Sequence, residues 1–225
     1  MIRPLRALLL KELRLELRTR QTVPAMALFA LVAMVIFQFA VGFRAGDAEA
    51  IAPGVMWATL ALTAVLGVGR SFVAERDQGV IEALLVTPVA RPLIIIARVI
   101  ALTLFLVIVE IALVPLVILF FVDGATIGDV AWLIPVLLVA DVAIGLLGAL
   151  LAALTVVARG RELLLPLMLL PALVPLVIAG AGATEAVLGV TNDMAEYRGY
   201  LLFLLGYAIV FALVAIATYE HVLDD

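Results

Sequence analysis

The chain has 225 residues, of which 67% are apolar and 14% charged, with a formal net charge of −4 and a mean hydropathy of +1.31. Soluble domains are about 45–50% apolar and about a quarter charged, so no water-soluble core accommodates this composition and lipid must solvate most of the chain. A span needs about 20 apolar residues, so this length holds six spans and short connections as one membrane domain. Cysteine is absent, which excludes a disulfide framework and thiolate chemistry.

The first twenty residues are polar: Arg3, Arg6, Lys11, Arg14, Arg18 and Arg20, with Glu12 and Glu16 among them. Leu5, Leu9, Leu13 and Leu17 recur every four residues and form one row on a helix, with Lys11, Arg14 and Arg18 opposite and Glu16 interrupting the apolar face. This predicts an amphipathic helix lying at the membrane surface, its basic face toward anionic headgroups.

Six apolar runs follow: Val23–Phe43, Gly54–Val73, Leu93–Val122, Val130–Ala158, Leu163–Ala183 and Gly199–Tyr219. Ala48-Glu49-Ala50 resembles a signal-peptide cleavage site. The first run is nevertheless 21 residues long, against about 7–15 for a signal h-region, and reads as a span. The expected fold is therefore an all-α membrane protein of six transmembrane helices preceded by an interfacial helix.

With the N-terminus in the cytoplasm, twelve of the 14 basic residues fall inside, including Arg70, Arg76, Arg91, Arg98, Arg159 and Arg161. Arg44 and Arg198 fall outside, among the acids Asp47, Glu49, Asp123, Asp129, Glu185, Asp193 and Glu196. Both termini are then cytoplasmic, in a bacterial inner membrane. Trp57 and Trp132 are expected at the outer interface, in an aromatic belt.

The connection between spans two and three runs Glu75-Arg76-Asp77-Gln78-Gly79 and on through Glu82, Leu84, Leu85 and Thr87-Pro88. Val80, Ile81, Leu84 and Leu85 make one apolar face, and Thr87-Pro88 ends the pattern, because proline disfavours helix in the residue before it. The pattern suits a short surface helix or an ordinary inner loop anchored by leucines.

The same stretch is similar to the charged-Gly-Glu-Leu-Pro loop of ABC-2-type export permeases. Three more segments narrow the likeness: Lys11-Glu12-Leu13-Arg14-Leu15-Glu16-Leu17-Arg18, Ile51-Ala52-Pro53-Gly54-Val55-Met56-Trp57, and Leu170-Pro171-Ala172-Leu173-Val174-Pro175-Leu176-Val177-Ile178. With these, nearly the whole chain resembles the haem exporter protein B family (CcmB, cytochrome c maturation). The resemblance implies an ABC-2-type permease subunit, not itself an enzyme, whose loop of Glu75, Arg76, Asp77, Gln78, Gly79, Glu82, Leu84, Leu85 and Pro88 docks on a separate cytoplasmic ABC ATPase. It implies two copies in a complex with other cytochrome c maturation membrane proteins, acting on a haem chaperone at the outer face. No nucleic-acid partner is expected.

The residues bear on this independently. A Walker A loop needs Gly-Lys-Ser/Thr to cradle phosphates, but the sole lysine, Lys11, stands between Leu10 and Glu12. ATP, if used, is bound by a partner, and the chain is expected to hold no cofactor or metal. The sole histidine, His221, reads as a cation near a helix C-terminus, and Met26, Met34, Met56 and Met168 read as packing residues rather than haem ligands.

Glu110 and Asp141 lie inside apolar runs. A carboxylate charged at the bilayer centre costs about 2.5–3.5 kcal/mol on insertion scales, so each should face the bundle interior, carry a proton or find a polar partner. Polar glue between helices or subunits and a substrate or proton pathway are both open readings, and the sequence does not fix whether the two acids meet. Pro166, Pro171 and Pro175, with Pro115 and Pro135, predict kinks. Gly145, Gly148, Ala149 and Ala152 predict close helix packing or a dimer seam. An ABC-2 exporter of a lipid, drug or glycan, a proton-coupled carrier built on Glu110 and Asp141, and a non-transporting scaffold are the alternatives.

Overall fold

The computed structural model describes residues 2–41, 48–77, 91–122, 126–155, 161–188 and 193–222. Among them are seven helices: α1 (Ile2–Thr19), α2 (Thr22–Val41), α3 (Ala48–Asp77), α4 (Arg91–Phe121), α5 (Ile127–Thr155), α6 (Arg161–Leu188) and α7 (Met194–Val222). No strand occurs among the described residues. Six of the helices, α2 to α7, are long and apolar enough to cross a membrane. Closed backbone hydrogen bonding within each segment is what a lipid environment demands, and an α-helix supplies it.

Short polar devices start these helices. Thr126 and Asp129 form a reciprocal cap at α5: the Thr126 N–H and hydroxyl donate to Asp129 Oδ2 at 2.9 and 2.7 Å, and the Asp129 N–H returns to Thr126 Oγ1 at 3.3 Å. Asp193 Oδ1 accepts from the N–H groups of Ala195 and Glu196 at the start of α7, at 2.8 and 3.2 Å. Glu16, which interrupts the apolar row of α1, has the corresponding task at α2. Its Oε1 accepts from the Thr22 and Val23 N–H groups at 3.0 and 2.8 Å. Those donors have no partner within the helix, and a carboxylate there also complements the helix dipole. Between the two helices Arg20 takes a left-handed φ of 50°, its N–H closing α1 onto the Glu16 carbonyl at 2.6 Å, as in an αL cap.

α1 docks on the start of α4. Leu8, Leu93 and Ala97 are buried together, with Leu5, Leu9 and Ile94 packed against them. The predicted row holds at Leu5 and Leu9, and Leu13 reaches the main core, but Leu17 stands 73% exposed. Arg14 and Arg18 are exposed on the other face.

α3 and α5 form the centre. α3 packs on α2, α4, α5 and α6, while α5 packs on α3, α4, α6 and α7. Small residues set the spacing. A Cβ at Gly148 would come within 2.8 Å of Val68 Cγ2, and one at Gly145 within 3.1 Å of the Val99 carbonyl oxygen. The glycine stripe of span four is thus filled from within the chain by α3 and α4, which favours the packing reading over a dimer seam. Met26, Met34 and Met56 are buried packing residues, whereas Met168 is exposed on the outside of α6. The prolines at 53, 115, 135, 166, 171 and 175 all lie inside helices.

One expectation is corrected. Trp57 does not sit in an aromatic belt: it is fully buried between α3 and α6. Gly180 of α6 leaves the slot for its indole, and Trp57 Nε1 donates to Thr184 Oγ1 at 2.8 Å. The Thr184 hydroxyl in turn donates to the Gly180 carbonyl at 2.9 Å. Burying indole requires a partner for its N–H, and the Gly180–Thr184 turn provides both the space and the acceptor. Trp132 is 49% exposed and meets Tyr197 edge-on at 5.7 Å, with the Tyr197 hydroxyl donating to the Trp132 carbonyl at 2.9 Å.

Candidate functional site

The centre of the bundle contains two carboxyl groups. Gly148 of α5 lies against Leu102 of α4 and Val68 of α3. From that level Asp141 is seven residues, about 10.5 Å, back along α5, and Glu110 is eight residues, about 12 Å, forward along α4. Because α4 and α5 join through a short connection and run antiparallel, both displacements point the same way. The antiparallel register therefore brings the two acids to one depth, and their carboxyl groups face each other across the α4–α5 seam.

Both are buried, Glu110 at 6% exposure and Asp141 at 0%. Glu110 Oε1 and both Asp141 oxygens have no hydrogen-bond donor. The hydroxyls of Thr59 and Thr63 on α3 and of Thr103 on α4 are also buried without a partner. Since α3 runs parallel to α5 with Val68 beside Gly148, Thr59 and Thr63 bracket the depth of Asp141. Unpartnered buried oxygens in native interiors are uncommon, so this concentration marks the seam as the polar centre of an otherwise apolar bundle. A groove of about 370 Å³ opens beside it between α4 and α5, lined by Val107, Ile111, Val114, Leu133 and Leu137, with Glu110 in its wall. A second groove, of about 590 Å³, lies between α6 and α7 beside Pro175, Ile178, Glu196 and Tyr200. There the Tyr200 hydroxyl donates to Glu196 Oε1 at 3.2 Å.

The acids were visible in the sequence because each interrupts an apolar run. The threonines were not, because threonine is tolerated in membrane helices without comment from hydropathy. The expected ATPase-coupling residues divide in two. Glu75, Arg76 and Asp77 are the last residues of α3, which stays helical to Asp77. Gln78, Gly79, Glu82, Leu84, Leu85 and Pro88 lie outside the described residues. His221 is in the last turn of α7. Among the described residues no group of three or more His, Cys, Asp or Glu side chains is placed to hold a metal ion.

Fold and site together define a multi-pass α-helical membrane protein with a facing carboxyl pair at its centre. The chain belongs to the CcmB protein family, whose model matches residues 3–224. It is similar to the Heme exporter protein B of Pseudomonas aeruginosa, 31% identical over 183 residues that cover 80% of this chain and 79% of that protein. The Heme exporter protein B of Paracoccus denitrificans is 33% identical over 184 residues, covering 80% and 82% respectively. That of Rhodobacter capsulatus is 31% identical over 179 residues, covering 79% and 80%.

Proposed function

We propose that this chain is the membrane permease subunit of an ABC-2-type transporter complex in c-type cytochrome maturation. The observation that carries the reading is the family match along nearly the whole chain, joined to six helices able to span a membrane. In this reading two copies sit over a pair of cytoplasmic ATPase subunits, with both termini of each copy on the cytoplasmic side. The ATPase binds ATP, and this chain performs no hydrolysis. Nucleotide-driven closure pushes the 75–88 segment, which stands in sequence between spans two and three, and so tilts α3 and α4. The work serves haem export or release of the haem-loaded chaperone at the outer face.

A proton-coupled carrier is the competing reading, and the facing Glu110 and Asp141 carboxyls are the observation in its favour. A mild-detergent pull-down of the tagged chain from its native membrane separates the two. Recovery of a P-loop ATPase with cytochrome c maturation proteins is expected. An ATPase without those proteins would redirect the cargo to a lipid, drug or glycan, and a chain recovered without any ATPase would overturn the permease reading. Within the complex, Glu82→Lys is expected to abolish ATPase co-purification while leaving membrane insertion intact; normal assembly of that variant would remove the coupling role from the 75–88 segment.

A further inference from the structure

Carboxylates offer only acceptors. Two ionised groups facing each other in a buried seam therefore make no bond to each other, repel, and forgo much of their hydration, and each of these penalties falls on the charged form. Glu110 Oε1 and both Asp141 oxygens are buried and receive no hydrogen bond from the protein. A single proton resolves them: it turns one carboxyl into a donor, the other accepts, and the pair carries one charge instead of two. Thr59 and Thr63 bring hydroxyl donors to the same depth, but a hydroxyl does not take a charge off the pair. Among the described residues, no charged or titratable side chain of α1, α2, α3, α6 or α7 acts on either carboxyl; each has only the other.

We propose that Glu110 and Asp141 form a proton-binding site in which one shared proton bridges α4 and α5. The bond spans two helices, so the proton fastens the α4–α5 seam at its polar centre, and drawing the helices apart breaks the bridge. Helix displacement and proton occupancy are thereby linked, whatever the cargo of the protein. The site is also reachable from the membrane: Glu110 lies in the wall of the 370 Å³ groove, whose rim residues Ile111 and Ile134 are exposed.

Two measurements on the full-length protein in lipid nanodiscs test this. Infrared spectra at pH 7 should contain a protonated-carboxyl C=O stretch that the near-isosteric double variant Glu110→Gln/Asp141→Asn lacks; identical spectra in that region would overturn the proposal. Dicyclohexylcarbodiimide, a lipid-soluble reagent for protonated carboxyls, should add to Glu110 of the unmodified sequence, mapped by peptide mass spectrometry. That adduct should disappear in Glu110→Gln, and a water-soluble carbodiimide should leave the residue untouched. The second measurement does not depend on the double variant folding, and a Glu110 that stays unmodified by the lipid-soluble reagent counts against the site.

Discussion

α3 and α7 are both membrane-spanning helices, yet they meet different surroundings. The membrane-spanning part of α3 is 67% buried within the chain and that of α7 only 11%, although α7 is the more apolar of the two. In water the order would be reversed. In a bilayer, acyl chains are as apolar as leucine, so hydropathy cannot rank helices by burial, and close packing and polar contacts decide which helix becomes central. α3 carries Ala52, Ala61, Ala64 and Gly67 for close approach, and Trp57, Thr59 and Thr63 as buried polar groups. α7 buries a narrow stripe, Tyr197, Leu204, Ala208 and Ala215, and turns Leu202, Ile209, Leu213 and Ile216 outward.

The comparison is most sharply tested where α3 meets α6. Gly180→Leu drives a side chain into the Trp57 indole and is expected to destabilise the protein by roughly 3 kcal/mol. Trp57→Ala in the same chain should restore part of the loss, read by thermal unfolding in detergent. A Gly180→Leu melting curve superimposable on the parent would break the claim that this interface is tight.

A smaller effect is expected from Thr184→Val, which keeps the shape and deletes the acceptor of Trp57 Nε1. Stranding a buried donor costs about 1–3 kcal/mol, and tryptophan fluorescence should report the altered indole environment alongside the lower melting temperature. If stability is unchanged, the indole has found another acceptor.

The weakly buried α2 depends more on its local cap. Glu16→Ala removes the acceptor of the Thr22 and Val23 N–H groups, at about 1 kcal/mol. Glu16→Gln should retain part of the stability, as an amide oxygen still accepts. Equal losses for both variants, measured in the same unfolding assay, would assign the effect to charge rather than to the hydrogen bonds.

The smallest changes belong to the outer face of α7. Leu213→Ala and Ile216→Ala, each at a side chain more than half exposed, should shift stability by no more than about 0.5 kcal/mol. A loss of several times that size in the purified chain would mean that this face does not meet lipid, and the contrast between centre and periphery would have to be redrawn.

These contrasts also mark how far the sequence could be read. The six spans and the surface helix follow from long apolar runs and a basic amphipathic segment, signals intrinsic to each stretch. What the sequence left open concerns relations between stretches. Glu110 and Asp141 announce themselves by breaking apolar runs, but their meeting depends on the register of α4 against α5, which Gly145 and Gly148 set by contact. Trp57 misled because an aromatic near a span end suits the membrane interface equally well, and only Gly180, 123 residues later, provides its slot. Glu16 looked like a flaw in an apolar face because its partners belong to the next helix. The 75–88 segment is legible only through family likeness, and Gln78 to Pro88 fall outside the described residues.

The cap at Glu16 has a mechanical consequence. α1 is fixed to α2 at one end through that carboxylate and to the start of α4 through Leu8, Leu93 and Ala97, while α2 and α4 pack on each other directly. Three members joined pairwise make a braced triangle, whose angles cannot change without breaking a joint. The helix before the first span is thus a strut: a push delivered to the start of α4 is shared with α2, and the three move as one body.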